Sequence, residues 1–273
     1  MPPLRLWRRL PGRSLEALAE SVLPDWYHGS MVWEPRRYRQ SVDATGLVSF
    51  EVLHGETDLQ ISASRDLTAE AAAIVADVRG DLEAYIGAHP RFAESYVPLG
   101  VEPDAPEIVR VMAAAGEAAG VGPMASVAGA VAERVARGLA VYSPEVLVEN
   151  GGDLYLMGCT ARHVLLLAGD SPLSGRVALA IPAEHLPCAV CTSSGTVGHS
   201  VSLGSAHAVT VLAESGAIAD ATATAAGNLV HSAGDIERAL ERALAVSGVR
   251  GAAVVAGERV GALGGVTLVP AGG

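Results

Sequence analysis

The sequence predicts an α+β chain whose sheet is mostly antiparallel. Three observations carry this. Alternating apolar runs meet at glycine turns, as hairpin strands do. Ala-rich stretches with helical spacing come in succession, without a strand between them. The regular βα alternation of a Rossmann fold or a barrel is missing. At 273 residues the chain can bury a sizeable core.

Residues 1–30 read as an N-terminal arm, ending in a turn region of Pro24-Asp25 and His28-Gly29-Ser30, and residues 31–273 as a single domain. Leu47 to Leu53 and Asp58 to Ala63 alternate around Gly55-Glu56 and predict a hairpin. Thr68 opens a helix to about Ile86, with Gly87 and Pro90 at its end. Pro106 precedes a second helix, Glu107 to Ala119, which Gly120 stops; a third runs from Ala125 to Arg137 and ends at Gly138. Val146 to Glu149, Leu154 to Leu156, His163 to Ala168, Val177 to Ile181, Ala189 to Cys191 and Val209 to Leu212 read as strands. Asp235 to Val246 carries Ile236, Leu240 and Leu244 at helical spacing, and Arg250 to Ala256 with Val260 to Leu268 predicts a closing hairpin.

Composition excludes several functions. All 19 basic residues are arginine, so neither a lysine Schiff base nor a P-loop lysine is available. A net charge of −11 argues against nucleic acid as a partner. The basic start, Arg5, Arg8, Arg9 and Arg13, is not followed by the apolar stretch of a signal peptide, and no segment reads as a membrane span. The expected address is the cytoplasm.

Three small-residue, oxygen-rich loops stand out: Asn150-Gly151-Gly152-Asp153, Thr192-Ser193-Ser194-Gly195-Thr196 and Ala219-Asp220-Ala221-Thr222-Ala223-Thr224. Glycines and hydroxyls let a polar ligand approach the backbone closely, and a core gains little from them. Asp220 and Thr224 stand four apart, so a helix there would put a carboxylate and a hydroxyl on one face, a pair suited to a hard cation. The plainer reading makes Asp220 a helix cap. Asn150 to Asp153 is read equally as a ligand loop and as a tight hairpin. Residues 192–196 read as an anion nest or a polar turn, and His199 as a general acid or base or a structural hydrogen bonder. His185, Cys188 and Cys191, with Cys159 and His163 upstream, allow a zinc site or a redox dithiol, against a strand whose cysteines are small hydrophobes.

These motifs resemble an uncharacterised ApbE-related family, cousins of the FAD- and Mg²⁺-dependent FMN transferases. The resemblance runs from about Tyr38 to Val266 and rests on Glu56 to Leu59, Ala119 to Ala130, Val148 to Asp153, Cys191 to Gly198 and Ala219 to Thr224. It implies a T-fold-like architecture, with metal ligands at Asp220 and Thr224 and a backbone carbonyl from the helix start 125–129, taken at Ala128. It places the cofactor against Asn150, Gly151, Gly152, Asp153, Thr192, Ser193, Ser194, Gly195 and Thr196. A lysine and a His-Ile-Ile-Asp-Pro loop of the transferases have no counterpart.

The expected function is therefore a Mg²⁺-assisted enzyme acting on a phosphate-containing cofactor such as FAD or another flavin, by FMN transfer or pyrophosphate cleavage. His199 is the nominated proton carrier. The alternative is a flavin-binding accessory protein without chemistry. The expected partner is a small-molecule nucleotide, and the T-fold resemblance adds a homodimer.

Overall fold

The computed structural model describes residues 5–7, 41–194 and 204–271. Twelve strands and six α-helices follow one another there. The strands are β1 (Arg5–Trp7), β2 (Val48–His54), β3 (Thr57–Ala63), β4 (Val146–Asn150), β5 (Asp153–Met157), β6 (Arg162–Leu165), β7 (Val177–Ile181), β8 (Cys188–Ser193), β9 (Ala208–Ala213), β10 (Val249–Ala256), β11 (Arg259–Gly264) and β12 (Thr267–Pro270). The helices are α1 (Thr68–Ala88), α2 (Arg91–Glu94), α3 (Glu107–Ala119), α4 (Val127–Leu139), α5 (Gly216–Gly227) and α6 (Ile236–Leu244).

Nine strands form one sheet in the order β1-β11-β10-β9-β8-β5-β4-β3-β2, every neighbouring pair antiparallel. A second sheet, β12-β7-β6, is also antiparallel. The mixed, mostly antiparallel α+β class is as expected.

Strand parity divides the packing into three layers. From β4, β5 and β8, the side chains of Val146, Val148, Tyr155, Ala189 and Cys191 enter a front core shared with the helices. Leu147, Leu154, Leu156, Cys188 and Val190 point the other way, into a back core with Val164 and Leu179 of the small sheet. Central strands covered on both faces carry apolar residues at nearly every position, which is why β4, β5 and β9 read as continuous runs and not as alternation.

On the front, α1 buries Ala71, Val75, Val78 and Leu82, and α6 buries Ile236, Ala239, Leu240 and Ala243, each one stripe at helical spacing. α3 spans the predicted bounds and ends at Gly120 in the left-handed region. The expected last strand, Val260 to Leu268, is two strands: β11 stays in the large sheet and β12 joins the small one. Arg5–Trp7 of the expected arm pairs with β11, Leu6 opposite Gly261, and the rest of residues 1–40 lies outside the described residues. Among the described residues no single helix is long and apolar enough to cross a membrane.

Candidate functional site

Asn150 and Asp153 close the β4–β5 hairpin as its last directly opposed pair. The two residues between them, Gly151 at φ 65° and Gly152 at φ 105°, take the positive values that a two-residue hairpin of this kind requires. Directly opposed residues share a face, so Asn150 and Asp153 both project to the front with Val148 and Tyr155. The segment is therefore a tight hairpin whose flanking side chains reach the helices. Asn150 Nδ2 donates to the Ala128 carbonyl at 3.0 Å, tying the hairpin to the first turn of α4.

Asp220 lies one turn inside α5, and its Oδ2 accepts from Gly129 N at 3.0 Å. It caps a helix, as the plainer reading had it, but the helix is α4 and not its own. The Ala128 amide adds to that bond. The start of α5 is completed in turn from α4: Glu133 Oε2 accepts from Gly216 N at 2.7 Å and from Ser215 Oγ at 3.1 Å. Helix starts leave their first N–H groups without intrahelical partners, and here each helix supplies the other's acceptor. This arrangement needs the two backbones in contact. A Cβ on Gly129 would lie 2.2 Å from Gly216 O, and one on Gly216 would lie 2.1 Å from Gly129 O.

The carboxyls of Asp153 and Asp220 meet at this crossing, near enough for each to set the other's titration. Thr192 N donates to Asp153 Oδ1 at 3.0 Å, and the neighbouring Cys191 thiol donates to the Gly216 carbonyl at 3.6 Å. Burial pushes Asp153 well above the usual carboxylate range, and the charge of Asp220 raises it further. Burial likewise lifts Asp220 to about 7, opposed by the amides of Gly129 and Ala128 and by the hydrogen bond from Asp153. Both carboxyls are thus held above the ordinary carboxylate range, chiefly by burial, and the two titrate as a pair.

Thr224 stands one further turn along α5, half-buried, on the Asp220 face. The Ala128 carbonyl, Asp220, Asn150 and Asp153 are thus brought together. Residues 192–194 do not form one hydroxyl-lined nest. Thr192 Oγ1 pairs with Thr210 Oγ1 at 2.9 Å on the back face, and only its amide serves the front. Ser193 faces front: its Oγ is buried, has no hydrogen-bond partner among the described residues, and would lie 3.5 Å from a Cβ on Gly227 of α5. Ser194 follows β8, half-buried. Gly195, Thr196 and His199 lie outside the described residues.

The cysteine reading is overturned by parity. Cys188 and Cys191 are three apart on one strand, so their thiols enter opposite cores and cannot join in a disulfide or share a zinc ion. Burial pushes the Cys188 thiol up to about 12 and raises that of Cys191 as well. Cys159 is exposed and bonds Glu145 instead.

Comparison with known proteins places this geometry in a family. The family profile described as "AbpE bacteria" matches residues 39–263. The chain belongs to this ApbE-related family. UPF0280 protein MJ1526 of Methanocaldococcus jannaschii is 47% identical over 197 residues, which cover 70% of this chain and 80% of that protein. UPF0280 protein MK0206 of Methanopyrus kandleri is 41% identical over 223 residues, 79% and 90% of the two chains. Among solved structures, the flavin transferase ApbE from Vibrio cholerae superposes with a TM-score of 0.54 at 12% identity, covering 80% of this chain and 96% of that one. The apo form of the Pseudomonas stutzeri flavinyl transferase ApbE gives 0.50 at 16% identity, covering 80% and 94%. At these identities the likeness shows that the ApbE-related family member shares the ApbE fold.

Sequence reasoning missed Glu133. Its pairing with Arg137 at i,i+4 looks like an ordinary solvated helix pair. The signal was there: Gly129 to Glu133 and Gly216 to Asp220 repeat one pattern, a glycine followed four residues later by an acid.

Proposed function

We propose that the protein is a Mg²⁺-assisted enzyme acting on a flavin nucleotide, with FAD the substrate to test and FMN transfer or pyrophosphate cleavage the reaction. The observation that carries this reading is the Asp153–Asp220 pair: two buried carboxyls side by side, with no basic side chain among the causes that set their protonation. Such a pair holds either a proton or a cation. Among the described residues no three His, Cys, Asp or Glu side chains gather as ligands, so neutral oxygens must complete any ion's shell. Asp220, the Thr224 hydroxyl and the Ala128 carbonyl are all hard oxygen donors. The carbonyl keeps a second lone pair beside its bond to Asn150. That donor set fits Mg²⁺, which takes few protein oxygens and otherwise water and phosphate.

An ion held there supplies charge neutralisation at a pyrophosphate and fixes the displaced phosphoryl group. The remaining roles fall to the chain. Asn150 holds the Ala128 carbonyl in place, and the Thr192 amide holds Asp153. Gly151 and Gly152 leave the hairpin tip open to a ligand, and Ser193 Oγ offers a hydrogen bond at the end of α5. The oxygen of an acceptor hydroxyl or of water forms the new bond to the FMN phosphorus. The bridging P–O bond breaks, and AMP departs with its electron pair. His199 is assigned the acceptor's proton on sequence grounds alone. The flavin comes from the names of the structural neighbours, which are flavin transferases.

The test is titration of the purified protein with FAD, with and without Mg²⁺, following AMP. Mg²⁺-dependent AMP release that is lost in Asp220→Ala is the expected result. FAD binding without AMP in the wild type overturns the enzyme and leaves a carrier.

A further inference from the structure

We infer that Glu133 is a positioning residue for this oxygen site, acting through Gly216 and the first turn of α5. The inference rests on the cation reading above and adds to it a residue remote from the loop motifs.

Helices α4 and α5 cross with a local two-fold character. Each carries a glycine and, four residues on, an acid: Gly129 with Glu133, Gly216 with Asp220. The glycines touch, and each acid accepts from the other helix's glycine amide, at 3.0 Å for Asp220 and 2.7 Å for Glu133. The two halves differ in charge. Glu133 Oε1 is neutralised by Arg137 Nε at 2.8 Å. Asp220 instead meets a second acid, Asp153. One half of the crossing is a finished ion pair, and the other is an acid pair with no basic partner among the causes that set its protonation.

The finished half is wired back to the open one. Arg137 Nη2 donates to Tyr155 Oη at 2.7 Å, with the guanidinium 5.3 Å from the ring centroid. The Tyr155 hydroxyl bonds Glu214 O at 3.3 Å, holding the turn that leads into α5. Tyr155 stands two residues from Asp153 on β5 and on the same face. A closed ring results: Asp153, Tyr155, Arg137, Glu133, Gly216, Asp220 and back to Asp153. Removing Glu133 releases the Gly216 amide and the Ser215 hydroxyl, and α5 loses the contact that sets where Asp220 and Thr224 stand relative to Ala128.

The test uses Mn²⁺ as the probe, its binding to the full chain followed by electron paramagnetic resonance, with folding checked by circular dichroism at the same temperature. Glu133→Ala is expected to weaken Mn²⁺ by about tenfold or more while remaining folded, as loss of a group supporting a metal ligand does. Glu133→Gln keeps an acceptor for Gly216 and should recover part of the affinity. Ser215→Ala removes a single donor and should give a smaller loss; with Glu133→Gln it carries the test if Glu133→Ala does not fold. Variants that melt at lower temperature but bind Mn²⁺ like the wild type overturn the positioning role alone. A wild type that binds no Mn²⁺ overturns the cation reading and this inference together.

Discussion

Gly129 and Gly216 meet backbone to backbone, each leaving too little room for a Cβ on the other. Alanine in place of a helical glycine ordinarily gains up to about 1 kcal/mol in propensity. Here the added methyl would lie 2.1 Å from Gly129 O if placed on Gly216, and a carbonyl inside a helix cannot move aside cheaply. Overpacking of about 1–3 kcal/mol outweighs the gain. Gly216→Ala should therefore lower the urea midpoint with an unchanged slope; a raised midpoint would show that the helices separate without cost.

The acid pair makes stability depend on pH in a particular direction. Asp220 is raised in the fold from 3.8 to about 7, so between those values the native state binds more protons than the unfolded chain. Stability from this group then falls as pH rises through that window and is level above it. Asp153, raised for the same reason, acts in the same sense. In ion-free protein, the melting temperature of wild type relative to Asp220→Asn should decline from acid to neutral pH. Parallel melting curves for the two proteins would refute the raised titration of the pair.

Adjacent residues on β8 should behave differently. Thr192→Val deletes the back-face bond to Thr210 and keeps the amide that serves Asp153, so it should cost about 1 kcal/mol of stability and leave FAD and Mn²⁺ affinity unchanged. Ser193→Ala removes a front-face hydroxyl and should weaken ligand binding at nearly constant stability, by isothermal titration. Equal effects of the two on binding would contradict the division of faces.

Thiol chemistry gives a direct count. Cys159 is exposed, while Cys188 and Cys191 are buried. A chromogenic disulfide reagent should react with one thiol in the native protein and with three after unfolding in guanidinium. Two fast thiols, or protection lost on adding a zinc chelator, would reinstate the metal reading.

Much of the architecture was legible because local rules agree with the fold at those points. Pro106 and Gly120 bracket α3, and the Asn150-Gly151-Gly152-Asp153 turn has the backbone its glycines demand. The second sheet was not legible. Val260 to Leu268 reads as one strand, although Gly264-Gly265 marks the break where the chain leaves one sheet to enter another at Thr267; the glycine pair shows a turn but not which sheet follows. At the site, the residue types of Asp153 and Asp220 pointed to chemistry, but the face taken by Thr192 depends on which side of β8 turns to the helices. The partner of Asp220 lies 91 residues away. Glu133 stayed hidden because its close neighbour Arg137 explains it locally.

Strand β5 begins with Asp153 and lies clamped between two cores, whereas β2 at the sheet margin is exposed along most of its length. Amide exchange with deuterated solvent will therefore be slowest where the acid pair is anchored, opening there only when both cores open. Adaptation to an incoming molecule must come from the segments around this strand, because the strand itself has no slack to give.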